Sequence, residues 1–174
     1  MLSIGDLWWL PAAIAKHYGI SAKRSKEAFL ETRSYMMSPE FVMKPVNGFK
    51  EALWSLKEKG FKLALLTNSL EKDSEAILFK LGLEHLFDKK IFEGQKPTHT
   101  VERFNELKEH FQVEYSDILS IGDNWINEIL PAAKLGCSTI LIDPHEISTK
   151  SFANHVVRNT TELIPLLKSS QFLK

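Results

Sequence analysis

Two acidic residues, Asp123 and Glu128, stand at a spacing that could hold a metal ion. Asp123 follows the apolar run at residues 118–121 and a glycine, and Glu128 lies in the first turns of a helix predicted to begin near Trp125. A short apolar run is typical of a buried parallel strand, and open α/β sheets bind ligands at the carboxyl ends of such strands. Two carboxylates delivered there suit Mg²⁺, which takes oxygen ligands and keeps several waters. The alternative is that Asp123 only caps the helix.

Two further polar groups follow other apolar runs of the chain. Thr67 and Asn68 come directly after the run at residues 62–66, and Lys96 lies next to Pro97 in a loop. A hydroxyl and backbone N–H groups at a strand-to-helix junction suit a phosphate oxygen, and a lysine adds a point charge for the same anion. Each also has a plain structural alternative, because Thr-Asn pairs often cap helices and loop lysines often face solvent.

The elements that must position these residues alternate along the chain from Pro45 onward. Predicted strands and helices follow each other, the strands at 62–66, 90–92, 118–121, 138–142 and 156–157 and the helices at 48–59, 71–81, 98–111, 125–135 and 161–168. Strands that alternate with helices of this length indicate βαβ units and a parallel sheet. The predicted class is therefore α/β, with one Rossmann-like parallel sheet flanked by helices.

Residues 1–44 have a different pattern. Met1 to Gly5 could form a very short strand, and Asp6 is a suitable N-cap for a helix that extends to about Tyr18. A second helix is predicted from Ala22 to Met37. Two helices rich in aromatic residues need an apolar surface to pack on, so we expect residues 1–44 to form a small cap and residues 45–174 to form the α/β core. The aromatic residues of this cap favour a homodimer.

Composition excludes several classes of partner. The 174 residues carry 22 basic and 22 acidic side chains, and this zero formal charge gives no indication of binding to nucleic acid or to an anionic membrane surface. Nothing approaches the roughly 18 apolar residues of a membrane span. The single cysteine, Cys137, excludes an internal disulfide, and the N-terminus lacks the pattern of a signal peptide. We therefore expect a cytoplasmic protein.

Three of these segments, in this order, resemble motifs of the haloacid dehalogenase (HAD) superfamily of phosphohydrolases. The resemblance runs from about Pro45 to the end of the chain, and Gly136 falls at the expected place after the last motif. Glu128 stands where the family more often has aspartate, which keeps the carboxylate. The matching segments are LALLTNS with Thr67 and Asn68, GQKP with Lys96, and GDNWINE with Asp123, Asn127 and Glu128.

The resemblance implies a Mg²⁺-dependent phosphatase of small phosphomonoesters that works through an aspartyl-phosphate. Thr67 and Asn68 would hold the phosphoryl oxygens, and Lys96 would neutralise the developing charge. Asp123 would ligate the metal with support from Glu128, so that Lys96 and Asp123 are the predicted catalytic residues. The expected partner is a small phosphorylated metabolite, selected by the cap.

The first motif of the family, DxDxT, has no match in this chain. It supplies the nucleophile and the general acid–base, whereas the chain contains no DxD, and two positions after Asp6 is Trp8. Three readings stay open. Upstream residues that carry the motif could be missing from this chain; the protein could be an inactive relative that binds phosphate, Mg²⁺ or a protein partner; or Met1–Asp6 could be a shortened first strand with Asp6 as a degraded nucleophile.

Overall fold

The computed structural model describes residues 10–147 and 152–169, and the chain divides into two compact units at residues 1–43 and 44–174. The predicted strand at Met1–Asp6 and the predicted helix start at Asp6 lie outside the described residues.

The first unit contains a hairpin of two helices, α1 (Leu10–His17) and α2 (Ala22–Met37). Gly19, with φ of 76°, makes the turn between them, and the hydroxyl of Ser21 accepts the Arg24 N–H at 3.3 Å, which caps α2. No residue of either helix is buried. The exposed large apolar side chains of this hairpin are those of Leu10, Ile14, Tyr18, Ile20, Phe29, Leu30 and Tyr35.

The second unit alternates helices and strands, which confirms the predicted α/β class. Its strands are β1 (Ala64–Leu66), β2 (Lys89–Ile91), β3 (Leu119–Gly122), β4 (Ser138–Ile142) and β5 (His155–Val157). Its helices are α3 (Phe49–Glu58), α4 (Glu71–Leu81), α5 (Thr100–Phe111), α6 (Leu130–Leu135) and α7 (Thr160–Ser169). Among the described residues, no helix is long and apolar enough to cross a membrane.

Helices cover both faces of the strands. On one face α3, α4 and α7 bury a larger core, to which Leu53, Leu78 and Leu163 contribute. On the other face α5 and α6 bury a smaller core around Phe104 and Ala132. Burial on both faces explains why the strands are nearly continuous apolar runs rather than alternating ones.

Among the described residues, the strands pair as two parallel sheets. Strand β1 pairs in parallel with β2, from Ala64 opposite Lys89 to Leu66 opposite Ile91. Strands β3, β4 and β5 form a separate parallel sheet in that order. Within the described residues no strand lies between β1 and β3, and each of these strands has a partner on one side only.

The predicted helix after β3 begins differently from its prediction. Trp125–Ile129 form a π-helical turn, and only Leu130–Leu135 are α-helical. The N–H of Leu130 donates to the carbonyl of Trp125, five residues back, and Pro131 in the first turn of α6 has no N–H to contribute to an α-helical ladder. Gly136 ends α6 with φ of 94°, as predicted.

Candidate functional site

Lys96 joins two of the loops that leave the carboxyl ends of strands. Its Nζ donates to Oε1 of Glu128 at 2.5 Å and to the carbonyl of Leu66, the last residue of β1, at 3.0 Å. The Lys96 side chain is only 6% exposed. The lysine is therefore not a solvent-facing loop residue, but a largely buried cation that bridges the end of β1 and the acid after β3.

Asn68 holds the backbone of Lys96 in place. Its Nδ2 donates to the Lys96 carbonyl at 2.9 Å, and its Oδ1 accepts the Lys96 N–H at 2.7 Å. These two bonds occupy both ends of the carboxamide. The side chain predicted to hold a phosphoryl oxygen therefore fixes the lysine loop, and the backbone N–H of Asn68 and the second hydrogen of Nδ2 are the donors left for an anion.

Thr67 lies at the start of the same turn. Its N–H donates to the carbonyl of Ile91 at 3.0 Å, and its carbonyl accepts the N–H of Gly94 at 2.8 Å. Its Oγ1 accepts the Ser69 N–H at 3.1 Å, a local turn bond typical of threonine. A Cβ on Gly94 would lie 2.7 Å from Cδ1 of Leu66 and 3.3 Å from the Thr67 carbonyl. The glycine is what lets this loop approach β1.

Glu128 folds back against the end of β3. Its Oε2 accepts the Asn124 N–H at 3.2 Å, and a Cβ on Gly122 would lie 1.9 Å from that oxygen and 2.9 Å from the Glu128 Cβ. Only glycine at 122 leaves room for this carboxylate. The prediction that Glu128 points to the crevice at the strand ends agrees with its contact with Lys96.

Asp123 is exposed at the carboxyl end of β3. The alternative reading, that it caps the following helix, is wrong, because Oδ1 of Asn124 accepts the N–H groups of Ile126 and Asn127 instead. The Asp123 carboxylate makes no hydrogen bond or ion pair with the described residues. It is therefore available to an external ligand.

The donor set fits a hard cation that needs few protein ligands. Among residues 10–147 and 152–169, no three His, Cys, Asp or Glu side chains form a metal-binding group. Mg²⁺ is commonly held by one or two carboxylates, with water and substrate phosphate completing its shell. Asp123 offers an unpaired carboxylate, and Glu128 keeps lone pairs beyond its bonds to Lys96 and Asn124.

The structure joins Asn68, Lys96 and Glu128 through hydrogen bonds. Thr67 precedes Asn68 and bonds the same loop at Gly94, and Asp123 follows Gly122 at the end of β3. Three supporting groups were not predicted from the sequence: the Leu66 carbonyl, the cap at Asn124 and the glycine at 94. The Asn-Trp-Ile-Asn order after Asp123 was a signal for the cap, since asparagine is among the best N-cap residues. The hydrogen bond from Lys96 to the Leu66 carbonyl could not be predicted, because every residue has a backbone carbonyl.

Comparison with known proteins places these residues in a family context. The family model for haloacid dehalogenase-like hydrolases matches residues 12–142, which include all five candidate residues, most of α1 and all of α2. The chain is 27% identical over 143 residues to the phosphoglycolate phosphatase of Haemophilus influenzae, covering 75% of this chain and 63% of that protein. It is 24% identical over 134 residues to the glyceraldehyde 3-phosphate phosphatase of Methanothermobacter thermautotrophicus, covering 75% and 58%.

Solved structures show the same fold. A HAD phosphatase from Thermococcus onnurineus superposes with a TM-score of 0.59 at 19% identity, covering 92% of this chain and 89% of that one. YfnB of Bacillus subtilis, classed as a HAD-hydrolase and solved with magnesium bound, gives 0.69 at 24% identity, covering 96% and 73%. The chain spans about three fifths of the length of the curated relatives named above. The chain belongs to the haloacid dehalogenase-like hydrolase family.

Proposed function

We propose that this chain carries the phosphate- and metal-binding body of a Mg²⁺-dependent phosphatase that acts on small phosphomonoesters. The observation that supports it most is the largely buried Lys96, held by Asn68 at the edge where the unpaired carboxylate of Asp123 also lies. A fixed cation beside an available carboxylate suits an anion and a divalent metal together. The two phosphatases to which the chain is similar are named for small phosphorylated compounds.

Each residue would have a separate role. The Nζ of Lys96 would stabilise negative charge on the phosphoryl oxygens. The Thr67 hydroxyl would donate to one oxygen, because its bond from the Ser69 N–H leaves its own proton free. Asn68 would position Lys96 through its side chain and offer its backbone N–H to the anion.

Asp123 would hold Mg²⁺, and Glu128 would orient Lys96 and support the metal from the side of β3. The ion would neutralise phosphate charge when bound. Gly122 serves this arrangement by leaving room for the Glu128 carboxylate. Magnesium is present in the YfnB structure, so Mg²⁺ is the first cation to test.

A second candidate function is favoured by one specific observation. The 174 residues contain no DxD, the motif that supplies the family's nucleophile. The second candidate is a protein that binds Mg²⁺ and phosphate without turnover.

Thermal unfolding with added Mg²⁺ and inorganic phosphate tests both candidates. A ligand at 100 times its Kd should stabilise the protein by about 2.7 kcal/mol. Asp123→Asn should abolish the Mg²⁺ response, and Lys96→Met should abolish the phosphate response. Glu109→Gln, an exposed acid of α5, is the matched control and should keep both.

Hydrolysis of p-nitrophenyl phosphate then separates the two candidates. Turnover that requires Mg²⁺ and Asp123 supports the phosphatase. Ligand binding without turnover supports the binding protein. Absence of any response to either ligand refutes both.

A further inference from the structure

Thr100 is the first residue of α5 and is fully buried. Its Oγ1 donates to the Asn127 carbonyl at 3.1 Å, across 27 positions of the chain. A threonine hydroxyl in a helix commonly bonds a carbonyl three or four residues earlier in its own segment. The side chain of Thr100 instead joins two separate segments, the start of α5 and the π-helical turn at Trp125–Ile129.

The Asn127 carbonyl lacks its α-helical donor. In an α-helix this carbonyl would accept the N–H of the residue four positions later, which is Pro131, and proline has no N–H. Asn127 is buried, with 6% of its surface exposed, and a buried carbonyl without a hydrogen bond is destabilising. The Thr100 hydroxyl therefore supplies a hydrogen bond that Pro131 cannot supply.

This hydrogen bond lies next to the residue that holds the Lys96 ammonium. Asn127 directly precedes Glu128. The Glu128 carboxylate accepts Nζ of Lys96 at 2.5 Å and the Asn124 N–H at 3.2 Å, and the Glu128 carbonyl accepts the Ser120 hydroxyl at 3.4 Å. The carbonyls on both sides of the Glu128 Cα are thus held by hydroxyl groups from other elements, one from α5 and one from β3.

The start of α5 is also attached to the lysine loop. The Thr100 N–H donates to the carbonyl of Pro97, the residue after Lys96, at 3.3 Å. Thr100 therefore bonds the loop of Lys96 through its backbone and the turn of Glu128 through its side chain. These are the same two segments that the Lys96–Glu128 ion pair joins.

We propose, on the basis of the phosphate-binding function above, that Thr100 is a positioning residue of the anion site. Its hydroxyl fixes the turn that places the Glu128 carboxylate, and Glu128 orients Nζ of Lys96 toward the phosphoryl oxygens. Without the hydroxyl, the Asn127 carbonyl turns toward another donor and displaces Glu128 with it. Because small displacements of a positioned group weaken its action strongly, the donor at residue 100 carries this role rather than the volume of its side chain.

Three substitutions at residue 100 separate the donor from the side-chain volume. Thr100→Val keeps the shape and removes the donor, Thr100→Ser keeps the hydroxyl, and Thr100→Cys has a weaker S–H donor in place of the serine hydroxyl. The matched control is Thr139→Val. Thr139 is also fully buried, and its Oγ1 donates to the Phe152 carbonyl at 2.9 Å near the amino end of β4.

Amide hydrogen exchange, measured without Mg²⁺ or phosphate, reports the position of Glu128. The Asn124 N–H donates to the Glu128 carboxylate. Thr100→Val should therefore accelerate exchange of the Asn124 amide about threefold to tenfold, which corresponds to the loss of one hydrogen bond. The amide of Ile140, in the middle of β4, should keep its rate. Thr100→Ser and Thr139→Val should leave the Asn124 amide at its wild-type rate.

Binding of inorganic phosphate, measured by calorimetric titration, then gives the consequence at Lys96. The Kd should rise about threefold to tenfold in Thr100→Val and stay within about twofold of the wild-type value in Thr100→Ser and Thr139→Val. A wild-type rate of Asn124 exchange or a wild-type Kd in Thr100→Val would overturn the proposal. Equal effects in Thr139→Val would overturn it as well, because they would show general destabilisation.

Two other outcomes are also decisive. If Thr100→Val does not fold, the same two measurements compare Thr100→Cys with Thr100→Ser, and equal values in these two variants would overturn the proposal. If the wild-type protein binds no phosphate, the proposed function is refuted, and the exchange rates of the Asn124 amide alone decide whether Thr100 positions Glu128.

Discussion

Replacing Lys96 by methionine should destabilise the protein far more than replacing an exposed lysine. The two side chains of the Lys96–Glu128 pair are 6% and 19% exposed, and the N–O distance is 2.5 Å. Methionine keeps much of the aliphatic volume but removes the charge. Glu128 is then left with the Asn124 N–H as its remaining donor, and the Leu66 carbonyl loses its donor.

The expected loss of unfolding free energy follows from how deeply the Lys96–Glu128 pair is buried. Removing one partner of a fully buried pair costs about 3–5 kcal/mol, because the other charge stays buried without compensation. Glu128 is one-fifth exposed and keeps one hydrogen bond, so we expect about 2–4 kcal/mol, below that range for full burial. For a chain of this size, each kcal/mol lowers Tm by about 2–4 °C, and the expected decrease is roughly 5–15 °C.

Urea unfolding of a double-mutant cycle measures this loss. The cycle compares Lys96→Met, Glu128→Gln and the double variant, with Lys90→Met as matched control, because the Lys90–Glu75 pair has a more exposed acid at 54%. The control should cost about 0.2–1 kcal/mol. The reasoning is refuted if Lys96→Met costs no more than the control, or if the double variant loses the sum of the two single losses, which would mean no coupling.

Three further predictions concern other sites. Gly122→Ala should cost about 1–3 kcal/mol in urea unfolding, since its Cβ would overlap Glu128, and Glu128→Ala should recover part of that loss; a fully stable single variant would contradict the placement of Glu128. Burial alone would raise the pKa of Asp88, but the Leu63 N–H and Lys57 lower it below 3.8 overall; the stability advantage over Asp88→Asn should be complete well above that pH and disappear as pH falls through the lowered value, and an advantage that grows as pH falls would contradict this sign. Burial raises the pKa of the Cys137 thiol to about 11, so Ellman's reagent at pH 8 should label it only on unfolding, and rapid labelling of the native protein would show that it is accessible.

Local rules were sufficient to predict the fold class and most element positions. Apolar runs of strand length alternate with amphipathic segments, and Gly82 and Gly136 end α4 and α6 with left-handed φ values of 65° and 94°. These features depend on neighbours close in sequence, so they can be read without a structure. The observed strand ends differ from the predicted ones by one or two residues. Strand β1, for example, begins after Leu63, because the Leu63 N–H donates to the Asp88 side chain at 2.8 Å.

The sequence predicted which residue types stand at the candidate site, but not which hydrogen bonds they make. Threonine, lysine and acid after successive strands indicated an anion and metal site, and Thr67, Lys96 and Glu128 do lie at that edge. The use of both polar atoms of Asn68 for the lysine loop was not predictable, because a carboxamide has the same sequence signature whether it binds a ligand or a backbone. The helix begins one residue later than an Asp123 cap would require, so Asn124 is the N-cap residue.

The sequence by itself therefore determined the alternation of elements and the chemical types at the strand ends, because propensity, periodicity and caps act over a few residues. Only the tertiary structure decided that Lys96 is buried against Leu66 and Glu128, that a side chain at residue 122 would overlap Glu128, and that among the described strands β1 and β3 each pair on one side only. Each of these depends on segments about thirty or more residues apart, or on a carboxylate folding back over its own strand. Hydrogen bonds and steric overlaps between such groups exist only in the folded chain, where the segments are in contact.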